Sequence, residues 1–518
     1  MLTFEAILGI LLLAVALGAL ARRVSAPFPT LLAVGGAALA LSPIGIPLKL
    51  DPSLALALFV APILLDAGYD ISPRDLKRNW RPIGGLVLVA VGLTTAAVAG
   101  IAHQLVPSMP WAAAVALGAI VAPPDAAAAT SVLKSAEPPH RVTIILEGES
   151  LLNDASALLV YRLAVGAAMA GGSLQTEVIA PTFLLSVVGS LVAGPLLAVV
   201  WSQVTRRIEH VPSAIIIQFV GTFGIWVVTE RLELSPVLTV VAYAITIARL
   251  SPSHTAAQER VPSYAVWETA VVVLNALAFV LIGLQLGPVL RGAEPGEIAR
   301  WAVVGSAVLA TVIAMRMVWV MGANAVVRWR YAEHEETPER PETQATWQTG
   351  VVIGWCGMRG IVTVATALAL PQNFPEHDLI LFTAFAVTLG TLLIQGLTLR
   401  PLVLALGLGQ DDAVDKEVRL ARVSLADAAL DCLETMGRGD EDAGILRREL
   451  MEERAAADNA EEGDGRASLR EKKLRSRTLE ARRRKLLDLR SEGTIGDDAF
   501  HRLEEELDFA DLALQSHL

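Results

Sequence analysis

The sequence predicts an all-α protein that crosses a membrane many times and ends in a helical, charged tail. Three observations support this fold class. Of the 518 residues, 53% are hydrophobic and only 18% are charged, a balance typical of a polytopic membrane protein and not of a soluble enzyme. Long apolar runs recur at the length of a bilayer crossing. Beyond Leu408 the apolar runs stop and the chain becomes dense in charge.

Apolar runs of roughly 20 residues are long enough to cross a bilayer as helices. About thirteen can be placed, and several are short for a full crossing. The first ends with Arg22 and Arg23, which marks it as a transmembrane helix and not as a cleaved signal. The predicted crossings lie at about 3–21, 28–44, 54–69, 83–102, 111–133, 144–169, 180–201, 213–229, 235–249, 264–290, 302–327, 348–370 and 379–407.

The distribution of basic residues predicts the orientation of these helices. If the N-terminus lies outside, the cytoplasmic loops hold 15 Lys and Arg residues and the outer loops hold four. Cytoplasmic loops of membrane proteins carry such an excess of positive charge. We therefore expect a multi-pass protein of the plasma (inner) membrane with its N-terminus outside and its C-terminus in the cytoplasm.

The chain is predicted to comprise a transmembrane domain, 1–408, and a cytoplasmic helical tail, 409–518. From Asp411 onward there are 19 basic and 28 acidic residues, so the tail holds most of the net charge of −11. A solvated helical extension is the simpler interpretation, and a regulatory or dimer contact at the tail is the alternative. The basic stretch "RRRK" at 482–485 is interleaved with acids, which favours a solvated helix face over a nucleic-acid site.

Two predicted helices carry interruptions at equivalent places. Thirteen helices divide into six, a linker and six, the arrangement of an inverted repeat. The fifth contains "VAPPDAAAAT", with Pro123 and Pro124, and the twelfth contains "GWCGMRG", with three glycines. Unwound backbone is tolerated in a membrane only where it lines a cavity. Paired interruptions therefore predict that broken helices 5 and 12 cross at a binding site near the membrane midplane.

Four polar residues share one side of the sixth predicted helix. Glu149, Ser150, Asn153 and Asp154 fall within about 140° of one another at 100° per residue. A carboxylate at bilayer depth costs roughly 2.5–3.5 kcal/mol, so this side must face protein or water. Oxygen ligands suit a small hard cation, and a partly desolvated carboxylate can exchange a proton near neutral pH. Pairing with buried bases is the alternative for Asp154 and Glu149.

Two further charged residues belong to the interruptions. Asp125 follows the prolines and would approach Asp154 if the two helices cross, or would cap a helix end. Arg359 needs an acidic partner or an aqueous cavity, and Glu149 and Asp66 are its candidate partners. Other polar residues in apolar runs, among them Arg316, are assigned to packing or interhelical polar contacts.

Several segments resemble cation/proton antiporters of the NhaP type and the related animal sodium/hydrogen exchangers. The segment "EGESLLNDASALLVY" resembles the sixth-helix signature of this family, and "GAIVAPPDAAAAT" its fifth-helix region. The segment "GMRGIVTVATALALP" resembles the Gly-x-Arg-Gly helix. The resemblance covers most of the chain to about residue 407.

The resemblance implies a homodimeric antiporter that exchanges a monovalent cation for H⁺ by moving a six-helix core against a dimerisation domain. It implies that Na⁺ is the first candidate, with K⁺ or Li⁺ possible, and that no cofactor is needed. Asn153 before the transport carboxylate marks the electroneutral branch. Pro124 stands where the family usually has a Thr, so the resemblance does not decide whether the site selects Na⁺ or K⁺.

The resemblance also implies a role for each site residue. The residues given for cation and proton binding are Asp154, Asn153, Ser150 and Asp125, with Asp154, Ser150 and Asp125 as the cation ligands. The supporting charge network is Glu149, Arg359 and Asp66. A K⁺-selective antiporter and an ion channel are the alternatives, although no filter-like loop or ladder of arginines favours a channel. An intramembrane aspartyl protease fits less well, and the absence of a P-loop gives no support for an ATP-driven pump.

Overall fold

The computed structural model describes residues 2–24, 27–42, 52–133, 138–170, 176–208, 210–250, 257–333, 346–408, 413–436 and 441–458, and parts of the chain between 477 and 510. All regular secondary structure in these ranges is helical. The chain divides into two units, Met1–Asp411 and Asp412–Leu518. Some predicted loop cations, including Lys49, Lys134 and Arg340, lie outside the described residues.

The first unit contains the apolar helices. In chain order its helices are α1 (Leu2–Val24), α2 (Phe28–Leu41), α3 (Pro52–Ala55), the π-helical turn π1 (Leu56–Val60), α4 (Ala61–Asp70), α5 (Pro73–Arg78), α6 (Trp80–Gly84), the π-helical turn π2 (Gly85–Ala90), α7 (Val91–Leu105), α8 (Trp111–Val121), α9 (Ala126–Leu133), α10 (His140–Met169), α11 (Thr176–Thr205), α12 (Val211–Arg231), α13 (Pro236–Leu250), α14 (Ala257–Arg291), α15 (Pro295–Glu333), α16 (Trp347–Trp355), α17 (Ile361–Leu368) and α18 (His377–Ala405).

Seven helical stretches are long and apolar enough to cross a bilayer. They are Trp80–Leu105, His140–Met169, Leu185–Thr205, Val211–Arg231, Glu259–Arg291, Pro295–Arg330 and His377–Ala405. Four shorter apolar helices add Ile7–Ala21, Phe28–Leu41, Trp111–Val121 and Pro236–Leu250. The protein is therefore an all-α polytopic membrane protein, as the composition predicts. The count of thirteen crossings and the inverted repeat stay predictions.

Both predicted interruptions are present. Helix α8 ends at Val121 because Pro123 and Pro124 cannot continue it: each lacks an N–H and disfavours helical geometry in the residue before it. The chain resumes as α9. The second interruption separates α16 from α17 and spans Cys356 to Gly360.

The two interruptions meet inside the bundle. The backbone N–H of Asp125, in the first interruption, donates a hydrogen bond of 2.7 Å to the carbonyl oxygen of Met358 in the second. Met358 is fully buried. Broken helices 5 and 12 therefore cross as predicted, and half-helices α8, α9, α16 and α17 all end or begin at the crossing.

The second unit contains a pair of charged helices, α19 (Ala413–Met436) and α20 (Glu441–Asp458). Ion pairs join them on their exposed sides: Arg447 to Glu434 at 3.0 Å and Arg454 to Asp427 at 2.5 Å. Exposed pairs of this kind contribute at most about 1 kcal/mol each. Further helical residues lie between 477 and 510.

Candidate functional site

Asp154 lies on α10 at the centre of the candidate site. Its side chain is buried, with 7% of the residue exposed. Within the described part of the chain, the Asp154 carboxylate has no hydrogen bond or ion pair to another side chain. A buried carboxylate without a fixed partner is unfavourable as a bare charge, so its environment favours a bound proton or cation.

Asp125 is the acid that faces Asp154. The negative charge of the Asp125 carboxylate acts on the carboxylate of Asp154. Asp125 immediately precedes α9, and its carboxylate packs against the backbone of Gly360, directly before α17. A side-chain carbon at Gly360 would overlap this carboxylate. Asp125 thus lies at the crossing of the two interruptions, and its part in an ion site stays a prediction.

The position of Asp125 also fits the electrostatics of the crossing. It lies where α9 and α17 both begin, and the N-terminus of a helix carries partial positive charge and unpaired N–H groups. Both half-helices therefore offer a favourable field to negative charge at this point. The cap and the site-acid interpretations of Asp125 are compatible.

Asn153 connects α10 to the first interruption. Its Nδ2 donates a hydrogen bond of 2.9 Å to the carbonyl oxygen of Pro124, a group freed by the break in the helix. Asn153 is fully buried, and its Oδ1 has no hydrogen-bond partner among the described residues. One amide oxygen beside Asp154 is therefore left to interact with a ligand. Ser150, one turn earlier, is half-buried on the same helix.

Arg359 serves the backbone of the crossing and not a carboxylate. Its Nε donates to the carbonyl oxygen of Val121 at 2.8 Å, its Nη2 to that of Ala122 at 3.0 Å, and its Nη1 to that of Gly357. These bonds place a cation at the C-terminal end of α8, where carbonyl groups lack helical partners and the helix dipole is negative. The expectation that Glu149 or Asp66 pairs with Arg359 is wrong.

The base that pairs with Glu149 is Arg316 of α15. Two parallel hydrogen bonds join them, from Nη1 to Oε1 at 2.5 Å and from Nη2 to Oε2 at 2.8 Å. The side chains of Arg316 and Glu149 are 3% and 1% exposed, respectively. Arg316 also donates to the carbonyl oxygen of Ile353 in α16. Glu149 is thus held by a base, while the sequence interpretation gave Arg316 too little weight.

Gly357 makes room for this ion pair. A side-chain carbon at that position would lie 2.6 Å from Cδ of Arg316. Each glycine of "GMRG" is therefore required for a different steric reason. Gly357 leaves space for the side chain of Arg316, and Gly360 leaves space for the carboxylate of Asp125. A signal for Arg316 was available in the sequence, since an arginine within an apolar span needs a partner by default.

Asp66 lies in a different environment. It lines a cavity of about 150 Å³ among α4, α11, α12, α13 and α14 together with Tyr69, Asp70 and Tyr264. In this cavity the Oε1 atom of Gln218 accepts hydrogen bonds from Ser263 and Trp267, both at 2.8 Å. In the described residues, the side-chain hydrogen bonds of Arg359 go to backbone carbonyl groups, and none goes to Asp66.

Crossed half-helices around a carboxylate that lacks a fixed partner define a class of protein. Such sites, with discontinuous helices at the centre of a membrane bundle, belong to secondary transporters that work by alternating access. In the described residues, the charged groups are clustered at one crossing and do not form a ring around a pore, as a channel filter would require.

Comparison with known families gives the particular family. The model of the transmembrane sodium/hydrogen exchanger family matches residues 9–405. The chain belongs to this family. It is a cation/proton antiporter and not an enzyme, and the ion-channel alternative is not favoured.

Relatives span nearly the whole chain. An uncharacterised Na⁺/H⁺ exchanger of Mycobacterium tuberculosis is 29% identical and covers 94% of this chain and 91% of its own length. The sodium, potassium, lithium and rubidium/H⁺ antiporter of Bacillus pumilus is 29% identical over 92% of this chain and 73% of its own length. The Na⁺/H⁺ antiporter NhaP of Pseudomonas aeruginosa is 30% identical over 70% of this chain and 83% of its own length.

The fold also matches a solved structure. The sodium proton antiporter MjNhaP1 of Methanocaldococcus jannaschii superposes with a TM-score of 0.60 and 16% identity. The match covers 78% of this chain and 98% of that antiporter. At this identity the match establishes a shared fold.

Proposed function

We propose that the protein exchanges a monovalent cation, with Na⁺ preferred, for H⁺ and that Asp154 binds either ion in turn. One observation carries this proposal: Asp154 is the buried acid without a fixed partner in the described part of the chain, whereas Glu149 is held by two hydrogen bonds to Arg316. A carboxylate whose two oxygen atoms both accept hydrogen bonds from an arginine is not available to a mobile cation. Asp154 is free to exchange one ion for another.

Competition at Asp154 couples the two fluxes. The carboxylate binds a proton or a cation but not both, so the site is never empty when it changes its exposure from one side of the membrane to the other. An empty site would leave Asp154 and Asp125 charged and facing each other, which is unfavourable away from water. The return step therefore requires a bound ion, which is the condition for obligatory exchange.

The cation ligands proposed beside Asp154 are oxygens of three kinds. Asp125 supplies a second carboxylate, Ser150 a hydroxyl, and Asn153 the Oδ1 atom that has no hydrogen-bond partner among the described residues. Oxygen ligands are what a hard cation prefers. The carbonyl oxygen of Pro124 already accepts the Asn153 amide. Pro124 has no hydroxyl group, and its carbonyl oxygen is already hydrogen-bonded. The selectivity between Na⁺ and K⁺ therefore depends on the oxygens of Asp154, Asp125, Ser150 and Asn153.

Exchange is proposed to be electroneutral. Asn153 carries no charge in any protonation state at neutral pH, and its amide is engaged in fastening α10 to the interruption. One carboxylate that carries one proton in one direction and one monovalent cation in the other moves no net charge. The relatives' names cover Na⁺ for Pseudomonas aeruginosa and Na⁺, K⁺, Li⁺ and Rb⁺ for Bacillus pumilus, which supports a monovalent substrate.

The arrangement around this site is proposed to follow the sequence predictions. The protein is a homodimer in the plasma membrane, with its N-terminus outside and its C-terminus in the cytoplasm. Residues 1–408 perform the exchange, with a six-helix core moving against a dimerisation domain. Residues 409–518 form a cytoplasmic helical extension that offers a regulatory contact. Glu149 and Arg359 support the site by fixing the crossing, and Asp66 is assigned to the charged lining of its own cavity.

Proton flux in proteoliposomes tests this function. The purified protein would be challenged in turn with Na⁺, K⁺ and Li⁺, with the membrane potential either clamped at zero or imposed by a K⁺-independent ion gradient. We expect Na⁺ to drive the fastest proton flux and an imposed potential to leave the initial rate unchanged. A rate that rises or falls steeply with potential would contradict electroneutral exchange, and no response to any cation would contradict antiport.

A further inference from the structure

A large apolar groove lies apart from the ion site. Its volume is about 860 Å³, near the upper end of the roughly 300–1,000 Å³ typical of sites for small organic molecules. Helices α1, α2, α9, α14 and α18 form it. Its walls are mainly aliphatic and include Leu11, Val15, Phe28, Val132, Val272 and Leu397. A groove of this size and chemistry suits a hydrocarbon chain.

One basic side chain, Arg400 of α18, lines the groove. It is half-buried, and its Nε is buried without a hydrogen-bond partner in the part of the chain that the structure describes. An unpaired guanidinium among aliphatic side chains is costly. Within the described residues, the groove therefore supplies no hydrogen-bonding or anionic partner for the Nε atom of Arg400.

Arg400 lies near the C-terminal end of α18. It precedes the last residue of α18, Ala405, by five positions, which is about 7–8 Å along the axis at 1.5 Å per residue. Arginine side chains near the ends of membrane helices reach the lipid headgroup region. By the positive-inside assignment, this end of α18 faces the cytoplasm. The groove then runs from Arg400 toward the hydrocarbon core.

We propose that this groove binds an anionic phospholipid of the cytoplasmic leaflet, with one acyl chain between α1 and α14 and its phosphate on Arg400. A guanidinium binds phosphate through two parallel hydrogen bonds and is less strongly hydrated than an ammonium. The aliphatic walls and the single unpaired base correspond to the two parts of such a lipid. A zwitterionic phosphatidylcholine would bring its own cation to the same place and gain less from Arg400.

The location of the groove gives the lipid an effect on transport. Ser131 and Val132 of α9 form part of its wall, and α9 is the half-helix that begins directly after Asp125. A lipid packed against α9 on one side and against α1 and α14 on the other restrains their relative movement. We therefore expect the fraction of anionic lipid to change the rate of exchange without changing which cation is chosen.

The first test compares phosphatidylglycerol with phosphatidylcholine on the delipidated full-length protein in detergent. Thermal unfolding and native mass spectrometry report binding without requiring transport. We expect phosphatidylglycerol to raise the melting temperature by several degrees more than phosphatidylcholine and to remain bound in the gas phase. Arg400→Gln should remove the difference between the lipids. Arg249→Gln is the matched control, since Arg249 is an exposed arginine in the last turn of α13, and it should keep the difference.

A second variant tests the acyl-chain part of the groove. Val273, which also lines it, is partly exposed, so Val273→Trp fills space without altering charge, and it keeps the test valid if Arg400→Gln does not fold. We expect Val273→Trp to reduce retention of phosphatidylglycerol at least tenfold. The proposal is wrong if inorganic phosphate alone reproduces the stabilisation, or if both variants bind phosphatidylglycerol like the wild type. A change of oligomeric state in Val273→Trp with unchanged lipid binding would instead assign the groove to a second copy of the chain.

Discussion

At the scale of single residues, the charged groups near the crossing have different environments. Glu149 and Arg316 hold each other by two hydrogen bonds, and Arg359 is occupied by backbone carbonyl groups. Asp154 alone among these four lacks such a partner in the described residues. The buried charges that pair within the bundle are therefore separate from the one that we propose exchanges ions.

Replacing Arg316 tests whether the ion pair with Glu149 stabilises the bundle. In Arg316→Met, Glu149 is left buried and uncompensated, which should cost about 3–5 kcal/mol of stability because one partner of a buried ion pair is missing. The double variant Glu149→Gln, Arg316→Met removes both charges and should recover most of the loss. Thermal unfolding in detergent measures both effects. A single variant as stable as the wild type would show that the pair does not stabilise the bundle.

The sequence predicted which acids are buried but not which base each one contacts. The acids were identifiable because carboxylates in apolar runs must face protein or water. Arg316 lies 167 residues from Glu149, and no periodicity within either helix relates the two positions. Arg359 was likewise expected to need an acidic partner or an aqueous cavity, whereas the broken end of α8 offers carbonyl groups that accept its hydrogen bonds. Both errors arise from contacts that only the packing of distant helices creates.

At the scale of elements, the crossing depends on the absence of a side chain at Gly360. Asp125 occupies the space that a β-carbon at this position would fill, and the Asp125 N–H is bonded to Met358. Any side chain at Gly360 must displace the carboxylate or separate the two interruptions. The interruption before α17 is therefore required for the site, because it lets the Asp125 carboxylate lie against the backbone of Gly360.

Gly360→Ala should lower cation-driven proton flux at least tenfold because it moves Asp125 away from Asp154. Gly92→Ala is a suitable control, since Gly92 lies in α7 with no neighbouring atom within 4 Å of an added β-carbon. Alanine in the middle of a helix is about 0.5–1 kcal/mol more favourable than glycine, so the control should fold and transport normally. Flux in proteoliposomes at equal protein content decides the matter, and equal rates in both variants would contradict the account of Gly360.

The breaks could be predicted from the sequence because proline and glycine act locally. Pro123 and Pro124 stop α8 whatever surrounds them, and the glycines around Arg359 favour unwound backbone. The number of crossings was less accessible. The described helices include seven long apolar stretches and four shorter ones, and composition alone does not say whether a short apolar helix spans the membrane or ends inside it.

At the scale of the whole molecule, the chain combines an apolar unit and a charged one. The apolar unit, Met1–Asp411, contains the crossing and every candidate span. The charged unit, Asp412–Leu518, contains α19 and α20. Composition predicts such a division because burial in lipid and exposure to water select opposite residue types, and the predicted boundary at residue 408 stays a prediction. The proposed orientation, with the second unit in the cytoplasm, rests on the positive-inside rule.

The two native cysteines test this orientation without engineering. Cys356 is buried at the crossing, and Cys432 is exposed on α19. A membrane-impermeant maleimide should therefore label Cys432 in inside-out vesicles and leave intact cells or right-side-out vesicles unlabelled. Cys432→Ser provides the control that assigns the signal. Labelling of Cys432 from the outside would reverse the proposed topology.

The central claim is that a single carboxylate, Asp154, binds the cation and the proton in turn, and the flux of an Asp154→Asn variant tests it most directly. The amide keeps the size of the side chain but can neither titrate nor neutralise a cation, so the variant should insert and unfold like the wild type. We expect its cation-driven proton flux in proteoliposomes to fall to that of protein-free vesicles. Asp378→Asn, which changes an exposed acid at the start of α18, should retain the full rate. Cation-dependent proton exchange by Asp154→Asn near the wild-type rate would contradict the account.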